Sequence, residues 1–464
     1  VCGIAGYVGT RNIISTIISL LIEVQHRGQE AAGISLIRTD GRIDVVKGRG
    51  YVLDVFNEET INILRIASDN IFGAIGHVRY STTGEYLEHQ AQPVALGDEN
   101  YRIAIAFNGT IANYIELAKE FNISSNRGDV FVLAEVIYKL ALEYGKDVVE
   151  ALKVLPYYVI GGYSLAVATS EPRIAIARDP YAFRPLVYAY NEREFVFASE
   201  TSALECVGFN NWSEVLPGEI VVFDGNSVEK TRSTFSAEFS PCIFEYVYFS
   251  RPDSIFNSIS VYKARIGMGV ELALTNPAQG DVVIPVPDSS RPAAIGFSKA
   301  SGIPLEEGII ANKYVGRGFI APPFIRDTLS KLKYGFVREA VNGKRVVLVD
   351  DSIVRGTTMR SIVRRLREVG AKEVHVRIAS PPFRYPCFMG IDISSREELL
   401  AWRFSDLKNI AKSIEADSLG YNTVEGLRRA VGLPSACFAC FTGIYPFKEF
   451  DLEKMEKMIS RCYV

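Results

Sequence analysis

The chain lacks a long apolar run. Its most extended hydrophobic stretch near the start, Ile13 to Val24, is interrupted by serine, threonine and glutamate, and falls short of the roughly 18 apolar residues that a membrane-crossing helix needs. It also lacks an excess of either charge. A balance of 51 Lys and Arg against 54 Asp and Glu gives neither the basic footprint of a nucleic-acid binder nor a membrane-surface face, so its partners are expected to be small molecules. No basic leader precedes Cys2, which makes a cytoplasmic protein the expectation. What is present is length and glycine. At 464 residues the chain is too long for one ordinary core and reads as two large domains, while 48% hydrophobic residues and 37 glycines suit an α/β enzyme.

The most informative stretch is residues 346–358, Val-Val-Leu-Val-Asp-Asp-Ser-Ile-Val-Arg-Gly-Thr-Thr. A hydrophobic strand ending at Val349 runs into two acids, a glycine and three hydroxyl residues. Asp350 and Asp351 are placed to face ribose hydroxyls or their Mg²⁺, and Ser352, Arg355, Gly356, Thr357 and Thr358 to wrap a 5′-phosphate at the start of the next helix. The stretch resembles the thirteen-residue signature of the type I phosphoribosyltransferases. That resemblance implies that Asp350 and Asp351 bind the ribose hydroxyls of phosphoribosyl pyrophosphate (PRPP), and that Val354, Arg355, Gly356, Thr357 and Thr358 hold its 5′-phosphate.

The other end carries a second chemistry. Cys2-Gly3-Ile4-Ala5-Gly6 is followed by His26-Arg27-Gly28-Gln29-Glu30, Gly76-His77-Val78-Arg79-Tyr80-Ser81-Thr82 and Phe107-Asn108-Gly109-Thr110-Ile111. A cysteine at a mature N-terminus needs no histidine, because its own α-amine, with a reference pKa of about 7.7–8.0, can take the thiol proton and later protonate the leaving ammonia. Together these segments resemble the glutamine amidotransferases of the N-terminal-nucleophile class. By that resemblance Cys2 is the nucleophile, Arg79 clamps the glutamine carboxylate, Asn108 and Gly109 form the oxyanion hole, and Asp129 anchors the glutamine ammonium. The family has a second acid after Asp129 where this chain has Phe131. Val1 stands before Cys2; we expect it to be an initiator residue removed from the working protein, since retention would leave the Cys2 nitrogen as a non-basic amide.

A boundary is expected near residues 230–240, giving domains 1–235 and 236–464. Before it, strand patterns at 71–77, 101–107, 161–169, 174–177, 195–198 and 218–223 accompany helices over 12–25 and 128–144. The amidotransferase resemblance continues through Arg178-Asp179-Pro180 with Arg184-Pro185-Leu186, Ala198-Ser199-Glu200-Thr201 and Leu216-Pro217-Gly218-Glu219. It implies a four-layer αββα sandwich in which Asp179, Arg184 and Glu200 are scaffold. After the boundary, strands at 282–286, 346–349 and 374–379 alternate with helices, the signature of an α/β domain with a mostly parallel sheet. Its active loops are then expected at the strands' carboxyl ends, where Asp288 and Ser289 join Asp350 and Asp351 as candidate Mg²⁺ ligands. Arg265 and Lys313 are further candidate PRPP contacts. The basic segment 307–345 reads as a lid that orders over an anion, and the resemblance implies that it closes over PRPP and completes a channel for ammonia.

Cysteine supplies a third signal. Cys437-Phe438-Ala439-Cys440 has two-ligand metal spacing, and could equally be a redox pair. The contexts of Cys242, Cys387 and Cys437–Cys440 resemble the iron–sulfur branch of the glutamine PRPP amidotransferases, which implies a structural [4Fe–4S] cluster on these four thiolates, with zinc the alternative metal. Across the whole chain that family implies ammonia transfer from glutamine to C1 of PRPP, Mg²⁺, a homotetramer and inhibition by purine nucleotides. Three alternatives stand beside it: a glucosamine-6-phosphate synthase, a non-catalytic PRPP or nucleotide sensor, and a phosphoribosyltransferase using free ammonia.

Overall fold

The computed structural model describes residues 1–66, 70–80, 90–312, 332–391, 393, 395–447, 452–453 and 455–456. The chain divides into two compact units, one comprising 1–242, 387–394 and 446–464 and the other 243–386 and 395–445.

The first unit is built on two antiparallel sheets. One has the strand order Ser213–Glu214, Val187–Tyr190, Phe195–Ala198, Gly3–Val8, Ile71–Arg79, Ala31–Arg38, Ile43–Arg49. The other runs Val228–Arg232, Glu219–Phe223, Arg173–Arg178, Gly161–Thr169, Arg102–Ile111, Val94–Gly97. Alternate residues of facing strands, among them Ile4, Val8, Ile75, Ala104, Ala106, Ala166 and Ile176, close a dry core between the sheets. The opposite face of the first sheet is covered by the helix Ile13–Glu23, and that of the second by Asp129–Glu143 and Val148–Val154. This is the αββα sandwich expected from the sequence.

Two of the three covering helices start at a side-chain cap. The Asn12 side chain accepts the Ser15 N–H, and Asp147 accepts the N–H groups of Val149 and Glu150. The long helix Asp129–Glu143 buries Val130, Phe131, Leu133, Ile137 and Leu140. Phe131 is therefore core, with the Arg127 guanidinium 3.5 Å above its ring.

The second unit has a four-stranded parallel sheet in the order Val282–Pro285, Arg345–Asp350, Glu373–Ile378, Ser418–Tyr421. Val282–Pro285 and the apolar stretch Val346–Val349 are continuous apolar runs because both faces are buried there. Val282, Ile284, Val346, Leu348, Val374 and Val376 pack with Met359, Ile362 and Leu366 of the helix Thr357–Val369. A small hairpin pairs Ile309–Ala311 with Tyr334–Phe336. About half of the proposed lid, residues 313–331 and with them Lys313, lies outside the described residues.

Candidate active sites

In the first unit, residue 2 enters a central strand that is paired on both sides, with Ile71–Arg79 and with Phe195–Ala198. The backbone of Cys2 therefore has little freedom. Its N–H donates to Asn108 Oδ1 at 3.2 Å, and its Sγ lies 3.9 Å from the Tyr80 carbonyl oxygen. Asn108 reaches it from the facing sheet, in the strand Arg102–Ile111. With Oδ1 turned to Cys2, Nδ2 of the same amide is buried and has no hydrogen-bond partner among the described residues. A buried donor left unmatched costs about 1–3 kcal/mol, and here it belongs to the same amide that holds the Cys2 nitrogen. Gly109 follows, and a side chain there would run into the Gly162 carbonyl, so only glycine lets the two strands meet at this point.

Arg79 ends the strand Ile71–Arg79 and is buried. Its Nη2 donates to Gln90 Oε1 at 2.5 Å, and its Nη1 lies 3.7 Å from Glu30 Oε2, beyond hydrogen-bond reach, with no bond of its own among the described residues. A guanidinium with one nitrogen bonded to Gln90 and the other in a loose ion pair with Glu30 keeps donors that a substrate carboxylate could take. Asp129 opens its helix, accepting N–H bonds from Ile111 (3.2 Å) and Val130 (2.8 Å). Burial raises its carboxyl above the usual range, while those two bonds and the charge of Arg79 pull it back. A cation beside it would favour the ionised form. His77 is fully buried, and burial first, then Arg79, pulls its pKa down to about 3, so the imidazole stays neutral near pH 7.

The sequence reading gave no role to Glu30, Gln90 or Arg27, and treated Glu200 as scaffold. The only signal was that Arg27 and Glu30 belong to the quoted segment His26–Glu30; the partners of Arg79 and Arg27 become visible only once the strands are paired.

In the second unit, Asp350 closes the strand Arg345–Asp350 and Asp351 follows it, buried. Asp351 accepts from Ser289 Oγ at 2.5 Å and from Ser352 Oγ at 2.6 Å, and its own N–H donates to Asp350 Oδ1 at 2.9 Å. Burial raises both carboxyls, and for Asp350 the neighbouring Asp351 charge raises it further. Asp288 is mostly exposed and pairs with Arg291 at 3.2 Å. Beyond the acids, Leu400 N–H donates to the Val354 carbonyl at 2.8 Å, Arg355 pairs with Glu398, and Gly356 caps the helix Thr357–Val369 at φ +83°. That left-handed turn leaves the first N–H groups of the helix, at Thr357 and Thr358, pointing out of its positive end. Arg265 is buried, donating to the carbonyls of Tyr246 (2.8 Å) and Ser250 (2.7 Å), and its charge acts to lower the Asp351 carboxyl against the effect of burial.

The iron–sulfur expectation is corrected. Among the described residues no group of three or more His, Cys, Asp or Glu side chains could hold a metal ion, and Cys242, Cys387, Cys437 and Cys440 are all described. The Cys387 Sγ is engaged by the Met389 N–H at 3.4 Å. Cys-x-x-Cys spacing supplied half of a ligand set and could not establish the rest. The [4Fe–4S] cofactor, and placement in the iron–sulfur branch, are therefore withdrawn.

Comparison with known proteins bears on both sites. Residues 77–206 match the glutamine amidotransferase domain family, and residues 270–380 the phosphoribosyl transferase domain family. The amidophosphoribosyltransferase of Pyrococcus horikoshii is 46% identical over 437 residues, covering 93% of this chain and 94% of that protein. That of Bacillus subtilis is 40% identical, over 96% and 94%. The solved structure of glutamine PRPP amidotransferase from B. subtilis complexed with ADP and GMP superposes with a TM-score of 0.84 at 39% identity, covering 97% of this chain and 99% of that one. A structure described as the allosteric regulatory enzyme of purine biosynthesis gives 0.85 at 39% identity, over 98% and 99%. Since this likeness runs along nearly the whole of both chains and so takes in both sites, the chain belongs to the amidophosphoribosyltransferase family.

Proposed function

We infer that this chain is a glutamine-dependent amidophosphoribosyltransferase: it takes ammonia from glutamine and joins it to PRPP, making 5-phosphoribosylamine in the first step of purine biosynthesis. The observation that supports the first half-reaction best is the Cys2–Asn108 pair, in which the cysteine's backbone nitrogen is held by a buried amide whose Nδ2 has no hydrogen-bond partner among the described residues.

In this reading glutamine lies with its carboxylate on Arg79 and its ammonium toward Asp129. The Cys2 thiolate attacks the side-chain carbonyl carbon, forming the S–C bond and a negative oxygen that Asn108 Nδ2 and the Gly109 N–H receive; one such donor is worth about 3–4 kcal/mol. The proton taken by the Cys2 α-amine passes to the leaving nitrogen, the C–N bond breaks, and ammonia departs from a thioester. Water then cleaves the thioester to glutamate and restores the thiol. This proton path requires a free amine at Cys2, hence a chain from which Val1 has been removed.

In the second half-reaction the 5′-phosphate of PRPP sits on residues 354–358 and its ribose hydroxyls on Asp350 and Asp351, which holds C1 open to ammonia. The nitrogen bonds to C1 as the C1–O bond to pyrophosphate breaks. Two adjacent acids, one buried and one part-buried, whose mutual repulsion a divalent cation would relieve, suit Mg²⁺, which keeps several waters and uses one or two carboxylates with substrate phosphates; Asp350 and Asp351 would hold it, with Ser289 and Asp288 as further candidates. Bound there, it would neutralise charge on pyrophosphate. Lys313, outside the described residues, belongs to the same proposal as a PRPP contact, as do a homotetramer, inhibition by purine nucleotides and a cytoplasmic location. The complex of the B. subtilis relative with ADP and GMP supports the nucleotide part.

Cys2→Ala tests the division of labour. Glutamine-dependent synthesis is expected to vanish while synthesis from PRPP and free ammonia continues; glutamine-dependent synthesis persisting in Cys2→Ala would overturn the assignment of the nucleophile.

A further inference from the structure

We propose that Glu200, acting through Arg27, is a positioning residue for the Cys2 nucleophile. The proposal rests on the reading of Cys2 given above and extends it to residues buried behind the site. Glu200 follows the strand Phe195–Ala198 and caps the short helix Thr201–Cys206. Its carboxylate is fully buried, and one oxygen, Oε1, accepts from Arg27 Nη1 at 2.6 Å and from His26 Nε2 at 2.7 Å. The Arg27 side chain is fully buried too. Its Nε donates to the carbonyl oxygen of Cys2 itself, at 3.0 Å.

Three residues distant in sequence are thereby joined to the main chain of the nucleophile. The N–H of Cys2 is held by Asn108 Oδ1 on one side of its Cα, and its carbonyl by Arg27 on the other. With its nitrogen and its carbonyl oxygen both held, χ1 is the main freedom left to place Sγ. The strand that delivers Glu200 is tied to the nucleophile's strand as well, since Ser199 N–H donates to the Ile4 carbonyl at 2.9 Å and Ile4 N–H to Ser199 Oγ at 3.0 Å.

A buried ion pair is a poor means of adding stability, because an apolar pair of similar size is often as good. This pair instead directs a planar donor at one chosen carbonyl, which an apolar pair could not do. A nucleophile displaced by about 1 Å can lose on the order of 10²-fold in rate. The loss belongs to the rate of thioester formation, since neither Glu200 nor Arg27 is among the residues assigned to glutamine or PRPP.

The test compares Glu200→Gln, the double variant Arg27→Met with Glu200→Met, and Cys2→Ala, each assayed with glutamine and separately with ammonia, alongside thermal unfolding. Glu200→Gln should lower kcat with glutamine by about tenfold or more, with KM for glutamine and the ammonia-dependent rate each within about twofold of the parent. The double variant removes both buried charges, so its Tm should recover toward the parent while kcat with glutamine stays low. Recovery of kcat together with Tm would show a purely structural pair and overturn the proposal, as would a parallel fall in the ammonia-dependent rate. If Cys2→Ala keeps glutamine-dependent synthesis, the nucleophile assignment fails; if it loses that activity and Glu200→Gln does not, only the positioning role fails.

Discussion

At the scale of single residues, the account depends on polar atoms whose partners are chosen with care. Asn108 uses its oxygen to hold the nucleophile and keeps its nitrogen for the reaction. Asn108→Ala should therefore lower kcat with glutamine by about 10²–10³-fold and leave ammonia-dependent synthesis unchanged; equal loss of both rates would contradict its role. His77 gives a pH signature. Its folded pKa, about 3, lies below its ordinary value of 6.5, so the unfolded chain binds the extra proton between those limits. The contribution of His77 is thus fully present above pH 6.5 and is lost as pH falls toward 3, at about 1.4 kcal/mol per unit. Asp179 has the opposite sign. Burial raises it from 3.8 to about 6, so its contribution falls as pH rises through that window. Urea unfolding of parent and His77→Gln between pH 4 and 7 should show a stability difference that grows with pH up to about 6.5 and then levels; a difference independent of pH would contradict a buried neutral His77.

At the scale of elements, much was legible. The strand–acid–glycine–threonine stretch predicts a strand ending near Val349 and a helix from Thr358; the observed strand is Arg345–Asp350 and the helix Thr357–Val369. The pattern is readable because a doubly buried strand is continuously apolar and a glycine marks the turn into the helix. Helices at 13–23 and 129–143 match their amphipathic spans for a similar reason. What sequence could not supply was convergence across large separations. Arg27 and Glu200 meet only because strand Gly3–Val8 lies beside Phe195–Ala198, and the four-cysteine ligand set, which rested on a resemblance of segment contexts, is not among the described residues as a group able to hold a metal ion. Phe131, which stands where the resembling family has a second acid, is turned by the helix into the core. The cap at Gly356 carries its own prediction. Its φ of +83° is unfavourable for other residues, and a Cβ there would press on Leu400. Gly356→Ala should raise KM for PRPP several-fold and lower stability by about 1–2 kcal/mol, measured by PRPP titration with saturating ammonia and by urea unfolding. An unchanged KM would remove the turn from the phosphate site.

At the scale of the whole molecule, two chemistries on one chain are useful only if they are coupled. Free ammonia supplied in excess should bypass the first site, so Asp351→Asn is expected to slow synthesis from glutamine and from ammonia alike, whereas changes at Cys2 or Asn108 affect glutamine alone. Loss confined to glutamine in Asp351→Asn would contradict its place in PRPP binding. The central claim is that glutamine hydrolysis and PRPP amination are two halves of one turnover. Its most direct test measures glutamate and pyrophosphate together, on protein shown by intact mass to begin at Cys2, with and without PRPP. The account predicts PRPP-dependent glutamate release in equal proportion to pyrophosphate; glutamine left unconsumed by such protein while it forms pyrophosphate from PRPP and ammonia would contradict it.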